Sequence, residues 1–191
     1  MAVTTQPALD AHRVRGDFAV FEELVNGRPL AYLDSASTAQ KPRQVLDRMR
    51  RFYEHEYANV HRGVYRLAER ATDAYEGARR TVAAFVNAPS EREVVFTRSA
   101  TEGINLVAYA WGLDNLGPGD VVVVTELEHH ANFVPWQFIA SRTGASFRHV
   151  PIDDRGELQL DALDRIDREG RVKVVANALV SNSLGTINPV D

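Results

Sequence analysis

The sequence lacks several features on which whole classes of protein depend. None of its 191 residues is a cysteine, which excludes disulfide bonds, thiolate metal ligands and a catalytic thiol within the chain. No apolar run approaches the roughly 20 residues that cross a bilayer, and residues 1–15 contain no apolar segment typical of secretory signals. Acidic residues outnumber basic ones by 26 to 22, so no nucleic-acid-binding face is expected. We therefore expect a soluble, cytoplasmic protein that contacts neither membrane nor nucleic acid.

Lysine is also scarce. Only Lys41 and Lys173 occur, so nearly all of the 22 basic residues are arginines. The remaining composition is that of an ordinary globular protein, with 45% hydrophobic and 25% charged residues, 12 glycines and 8 prolines. This balance is enough for a folded core and excludes disordered and collagen-like classes.

The hydrophobic pattern predicts alternating helices and strands. Apolar residues at three- and four-residue steps predict a long helix over 67–86, and a valine run at 121–124 predicts a strand covered on both faces. The other predicted helices cover residues 17–24, 42–53, 101–111, 132–142 and 159–166, and the other predicted strands cover 30–34, 94–97, 146–150 and 172–179. Gly112 is predicted to close the helix that begins at Thr101. Strands separated by helices imply an α/β fold with a largely parallel sheet and helices on both faces.

A polar cluster follows the predicted strand 94–97. Ser99, Thr101, Glu102 and Gly103 open the next helix, where free N–H groups and the positive end of the helix dipole can hold a phosphate. The alternative is a capping box, in which Ser99 and Glu102 satisfy each other's backbone donors.

Two further polar clusters follow later strands. His129 and His130 admit three interpretations: a metal site, an imidazole stacked on a planar cofactor with Asn132 capping the next helix, or plain surface residues. Adjacent histidines without a third ligand at useful spacing argue against a metal. Asn182 can bond a phenolate-type oxygen or serve only in a turn. Because ligands bind beyond the carboxyl ends of strands in open α/β sheets, the three clusters together predict a planar, phosphate-bearing ligand.

Read together, these segments resemble the N-terminal half of class V aminotransferase-type, pyridoxal-phosphate enzymes. They are most similar to group II cysteine desulfurases that serve the SUF iron–sulfur assembly system, with selenocysteine lyase as a relative. The segments that carry the resemblance are Tyr32-Leu33-Asp34-Ser35-Ala36-Ser37, Gln40-Lys41-Pro42, Val60-His61-Arg62-Gly63, Thr101-Glu102-Gly103-Ile104-Asn105, Glu128-His129-His130-Ala131-Asn132 and Ser181-Asn182 with Leu184-Gly185.

The resemblance implies the large domain of pyridoxal-phosphate fold type I over residues 31–191, preceded by a helical segment at 1–30. It implies that Thr101, with Glu102 beside it, holds the phosphate of pyridoxal 5′-phosphate. It further implies that His129 stacks on the pyridine ring and that Asn182 bonds the phenolic oxygen. Loops near the active site and a homodimer interface would contain a second set of residues, namely Ala36, His61 and Arg62.

The same resemblance implies conversion of L-cysteine, or selenocysteine, to alanine with transfer of sulfur to a SUF acceptor protein. The family's cofactor-linked lysine lies in a Ser-x-His-Lys setting that neither Lys41 nor Lys173 matches, and its nucleophilic cysteine has no counterpart here. We therefore expect an N-terminal portion that contains no catalytic residue and is inactive alone. Two alternatives remain at this point: another class V lyase or epimerase, and a non-catalytic module that binds a ligand or pairs with an enzyme subunit.

Overall fold

The computed structural model describes residues 9–190. These residues form two compact units that divide between Val95 and Phe96. The first unit is mainly helical and the second contains a parallel sheet. No helix in the described range is both long and apolar enough to cross a membrane. The predicted domain boundary between residues 30 and 31 stays a prediction.

The first unit begins with short elements and continues into two long helices. Asn26 and Gly27, which both have positive φ, 53° and 74°, form a turn that joins two antiparallel strands. The elements in chain order are α1 (Ala11–Arg15), a 3₁₀ turn (Ala19–Glu22), β1 (Leu24–Val25), β2 (Arg28–Pro29), α2 (Arg43–His55), α3 (Arg66–Phe85) and a 3₁₀ turn (Glu91–Glu93).

The two long helices confirm the periodicity of the sequence. Pro42 is the N-cap of α2, a position that tolerates proline because no intrahelical donor is needed there. Small side chains on α3, namely Ala68, Ala71 and Ala83, are buried. Since alanine has the highest helix propensity and little bulk, this face of α3 can be packed closely.

The second unit is a three-stranded parallel sheet with connecting helices. The strand order is β4-β3-β5, so the valine-rich β3 is central, and all of its residues are buried. The elements in chain order are α4 (Ala100–Val107), a π-helix (Ala108–Gly112), α5 (Leu113–Asn115), β3 (Asp120–Thr125), a 3₁₀ turn (His130–Asn132), α6 (Val134–Thr143), β4 (Ser146–Val150), α7 (Asp161–Asp167) and β5 (Arg171–Ala176).

Alternate valines of β3 face opposite sides of this sheet. Val122 and Val124 pack with Trp136 and Ile139 of α6, whereas the other face packs against α7. That second core contains Val121, Val123, Val150, Ala162 and Ile166. The predicted parallel sheet with helices on both faces is therefore confirmed.

Several element predictions are wrong. Residues 30–34 and 94–97 are not strands, because no sheet of the described residues includes them. Residues 17–24 form a 3₁₀ turn and the first residue of β1 in place of a helix. Gly112 does not end its helix: an added Cβ would lie 2.9 Å from Ile139 Cγ2. Glycine is needed there for close packing, and the helical backbone continues through α5.

One buried carboxylate fixes the amino ends of β3 and β5. Asp120 accepts hydrogen bonds from Gly117 N–H (3.0 Å) and from Arg171 Nε (2.7 Å). The hydrogen bond from Arg171 lowers the pKa of Asp120, with further help from the Gly117 N–H. The turn before β3 is thus joined to the start of β5, which supports the register of the two strands.

Candidate functional site

The start of α4 is a capped helix with unused donors. Ser99 Oγ accepts from Glu102 N–H (3.2 Å), and a Glu102 oxygen accepts from Arg98 N–H (2.6 Å). The capping interpretation is thus confirmed in a modified form, since Glu102 reaches Arg98 and not Ser99. Within the described chain, the N–H groups of Ser99, Ala100 and Thr101 have no acceptor. These free donors suit an anion such as phosphate.

The side chains around this turn differ in how they are used. Thr101 is exposed, and no described residue bonds its hydroxyl. Glu102 is paired with Arg98, whose Nη2 lies 2.8 Å from Glu102 Oε1. The hydrogen bonds from the Arg98 side chain and backbone lower the pKa of Glu102. Thr101 is therefore free to bind a ligand, whereas Glu102 is engaged in holding the turn.

The turn after β3 fixes the orientation of His129. Its Nδ1 accepts from Ala131 N–H (3.1 Å), so in the neutral ring the proton lies on Nε2. The ring is exposed, and α4 contacts the 3₁₀ turn that follows it. Asn132 does not cap α6 as predicted: its Nδ2 donates to Glu128 (2.6 Å) and its Oδ1 accepts from Trp136 Nε1 (3.1 Å).

The loop after β5 presents Asn182 at its tip. Buried Ser181 supports the loop, because its Oγ accepts from Ser183 N–H (3.3 Å) and Leu184 N–H (3.2 Å). Its carbonyl accepts from Gly185 N–H (3.0 Å), and Gly185 adopts a φ of 76°. The Asn182 side chain is exposed and unbonded by any residue in the described range. It can therefore donate and accept toward a ligand.

The second unit thus holds two of the predicted clusters at the carboxyl edge of its sheet. His129 and Asn182 follow adjacent parallel strands, in which Val124 pairs with Ala176. Thr101 follows a segment that is not a strand, so the expectation of three strand ends is wrong for the first cluster. Sequence reasoning also missed the role of Glu128, whose carboxylate links the two strand ends; the spacing Glu128–Asn132–Trp136 is a signal for its local bond to Asn132, but not for its bond to Ala178.

The other predicted residues lie in the first unit. Ala36 is exposed in a turn. His61 has a φ of 66°; its N–H donates to Thr72 Oγ1 (2.9 Å), and its Nε2 lies 2.7 Å from Glu76 Oε1. Hydrogen bonding to His61, with the charge of Arg79, lowers the pKa of Glu76. Arg62 is exposed and makes no bond to a described residue.

No group of three or more His, Asp or Glu side chains among residues 9–190 is arranged to hold a metal ion. The donors at the turn of Thr101, the oriented ring of His129 and the free amide of Asn182 instead suit a planar ligand with a phosphate. The residues present therefore fit pyridoxal 5′-phosphate.

Comparison with known proteins decides the family. The model for aminotransferase class-V matches residues 31–191. The chain belongs to the class-V aminotransferase family. This membership confirms the resemblance inferred from the motifs, and both this family and the cysteine desulfurases depend on pyridoxal phosphate.

Among class-V relatives, a probable cysteine desulfurase of Mycolicibacterium paratuberculosis is 53% identical over 182 residues, covering 95% of this chain and 26% of the relative. A cysteine desulfurase of Enterobacter sp. is 52% identical over 178 residues, covering 93% and 44%. The chain spans less than half the length of both relatives.

Solved structures confirm the fold class. The apo cysteine desulfurase of Thermococcus onnurineus matches with a TM-score of 0.83 at 37% identity, covering 94% of this chain and 42% of that one. A cysteine desulfurase of Escherichia coli matches with a TM-score of 0.78 at 34% identity, covering 96% and 45%. These class-V neighbours have pyridoxal-phosphate fold type I.

Proposed function

We propose that this chain supplies part of the cofactor pocket of a pyridoxal-phosphate-dependent cysteine desulfurase whose substrate is L-cysteine. The observation that carries the proposal is the 52–53% identity to cysteine desulfurases over more than nine-tenths of the chain. It favours a desulfurase over another class V lyase or epimerase, and over a non-catalytic module.

In this proposal the start of α4 binds the cofactor's phosphate. The free N–H groups of Ala100 and Thr101 and the Thr101 hydroxyl donate to phosphate oxygens. Glu102 acts from behind the turn, because its carboxylate is bonded to Arg98. Its contribution is to hold the helix start in the conformation that presents those donors.

The other two contacts orient the ring. The bond from Ala131 N–H to His129 Nδ1 fixes the orientation of the imidazole ring. In this orientation the ring stacks on the face of the cofactor's pyridine ring. The Asn182 amide bonds the phenolic oxygen. The bound cofactor supplies an electron sink for amino-acid chemistry.

The roles of residues in the first unit, the partners and the location are proposed from the family resemblance. Ala36, His61 and Arg62 are proposed for loops near the active site and a homodimer interface. The bond from His61 N–H to Thr72 Oγ1 holds the backbone, and the bond between the His61 ring and Glu76 holds the side chain, in the loop that would present Arg62 to an anion. The cytoplasmic location, the SUF acceptor and the alternative substrate selenocysteine are likewise proposed from the resemblance.

The test is equilibrium dialysis of the full chain against pyridoxal 5′-phosphate. Thr101→Val is expected to weaken binding about tenfold or more, since a hydrogen bond to a charged group contributes roughly 1.5–3 kcal/mol. Thr81→Val is the matched control, because Thr81 Oγ1 bonds Gly77 O within α3 of the first unit.

Pyridoxal without its phosphate provides the second arm of the test. Its affinity should be the same for the wild type and Thr101→Val, because the removed hydroxyl contacts only the phosphate. Wild-type chain that retains no pyridoxal 5′-phosphate, or a Thr101→Val variant that binds it as tightly as wild type, would contradict the proposed pocket.

A further inference from the structure

Glu128 occupies a junction between the two loops that carry His129 and Asn182. Its Oε1 accepts from Thr125 Oγ1 (2.7 Å) and from Ala178 N–H (2.6 Å), and its Oε2 accepts from Asn132 Nδ2 (2.6 Å). We propose that Glu128 is a positioning residue, which fixes the loop of His129 against the loop of Asn182. We call Glu128 and its three hydrogen-bond donors the clamp. Its effect on cofactor binding rests on the proposed function, whereas the clamp itself rests on these contacts.

Each of the three bonds fixes a different part of the sheet edge. Thr125 is the last residue of β3, Asn132 ends the 3₁₀ turn after His129, and Ala178 is the second residue of the loop after β5. One carboxylate therefore links the loops that follow two strands, through a bond between residues that are 50 positions apart in sequence. Loops have no ladder of backbone hydrogen bonds to hold them. These three bonds therefore fix the distance between the two loops beyond the point where the pairing of β3 with β5 stops.

The clamp extends into the core through a relay of side chains. Asn132 Oδ1 accepts from Trp136 Nε1 (3.1 Å), and Trp136 of α6 is buried in the cluster beneath the sheet. Because that oxygen is committed to the indole, Asn132 can offer only its NH₂ group to Glu128. The direction of every bond in the relay is thereby fixed.

This polarity requires a carboxylate at position 128. All three groups that face Glu128 are donors, and only an ionised carboxylate accepts on both oxygens. In Glu128→Gln, the new NH₂ group would face the NH₂ group of Asn132. Rotating the Asn132 amide would only move the conflict to the Trp136 N–H. A half-buried donor without an acceptor is unfavourable, so the contact between residue 128 and Asn132 should break.

The structure also supplies a rescue. In the double variant Glu128→Gln with Asn132→Asp, the Gln NH₂ donates to one Asp oxygen while the other Asp oxygen accepts from Trp136. The Gln oxygen still accepts from Thr125 and Ala178, so every donor regains an acceptor and the net charge equals that of wild type. Asn132→Asp alone places two carboxylates against each other and should weaken the clamp by like-charge repulsion.

The experiment is a double-mutant cycle on the full chain with two readouts. The first is the indole N–H resonance of Trp136, assigned with a Trp111→Phe variant. The second is affinity for pyridoxal 5′-phosphate by equilibrium dialysis. Glu126→Gln is the charge control, because Glu126 lies two residues away and bonds Ile152 N–H (3.1 Å) outside the clamp.

Glu128→Gln is expected to shift the Trp136 resonance and weaken cofactor affinity about tenfold or more. The double variant should restore both values to near wild type, and Glu126→Gln should change neither. If Glu128→Gln fails to fold, a folded double variant still supports the clamp, and an unfolded one contradicts it.

The two proposals fail in different ways. A wild-type chain that binds no pyridoxal 5′-phosphate overturns the proposed function, while the Trp136 resonance and its rescue still decide on Glu128. An unchanged resonance in Glu128→Gln, or a double variant no better than the single ones, overturns the clamp whatever the cofactor does.

Discussion

At the scale of single residues, the helix start at Thr101 combines a cap with backbone N–H groups that have no acceptor among the described residues. Both oxygens of Glu102 accept hydrogen bonds from Arg98. The Glu102 carboxylate therefore does not occupy the N–H groups of Ala100 and Thr101. A negative side chain at a helix start also interacts favourably with the helix dipole. Capping and phosphate binding are therefore compatible here, although the sequence presented them as alternatives.

This cap should depend on pH. The pKa of Glu102 lies below its ordinary value of 4.5 in the folded chain, because of its bonds to Arg98. A carboxyl group whose pKa is lower in the folded chain than in the unfolded chain stabilises the folded state at pH values above its unfolded pKa. That stabilisation is lost as the pH falls through the folded pKa. We expect the Arg98 amide resonance to be constant from neutral pH to about 4.5 and to titrate below it.

Glu102→Gln supplies the comparison for that titration. Glutamine can still accept from the Arg98 amide but cannot change charge, so its Arg98 resonance should stay flat over the same acidic range. A resonance that titrates equally in both proteins would show that another group controls this turn.

At the scale of secondary-structure elements, the sequence predicted those whose pattern depends on their own side chains. The apolar residues of α3 recur with the helical period of about 3.6 residues, and β3 is a continuous apolar run. Both predicted elements are confirmed. Residues 94–97 have the same β-branched character but lack a neighbouring strand among the described residues. Strand formation needs a partner, which local sequence does not specify.

The candidate site shows the same limit. Thr101, His129 and Asn182 lie in short polar motifs that could be picked out locally. Glu128 could not be assigned its role, because one of its bonds goes to Ala178 and crosses 50 residues. Contacts of that kind follow from the strand order β4-β3-β5, and only the fold reveals them.

Gly112 offers an element-scale test of packing. A Cβ at this position would lie 2.9 Å from Ile139 Cγ2, and Ile139 is fully buried. Gly112→Ala should therefore destabilise the chain by about 1–3 kcal/mol through overpacking, despite the better helix propensity of alanine. Urea unfolding followed by circular dichroism measures this change.

Gly117→Ala is the control for that substitution. No atom lies within 4 Å of its added Cβ, and Gly117 does not have a positive φ. Its free energy of unfolding should stay within about 0.5 kcal/mol of wild type. A Gly112→Ala variant as stable as Gly117→Ala would mean that α6 moves aside without cost.

At the scale of the whole molecule, the chain combines the predicted binding groups with an absence of reacting ones. It contains no cysteine, so no side chain of this chain can accept sulfur as a persulfide. Lys173 lies on strand β5, and Lys41 Nζ donates to Ala39 O (2.6 Å) in the first unit. Neither lysine lies in the loops of Thr101, His129 or Asn182, so the proposed cofactor binding can be tested separately from turnover.

This separation predicts binding without catalysis. The purified 191-residue chain, saturated with pyridoxal 5′-phosphate and given L-cysteine, should release no more sulfide than the cofactor alone, because it lacks the thiol that removes sulfur from the substrate. Sulfide assays run beside equilibrium dialysis measure both properties on one sample. The prediction would be contradicted if the wild-type chain released more sulfide than the cofactor-only blank and Thr101→Val did not. Turnover would then depend on the pocket without any cysteine of the chain.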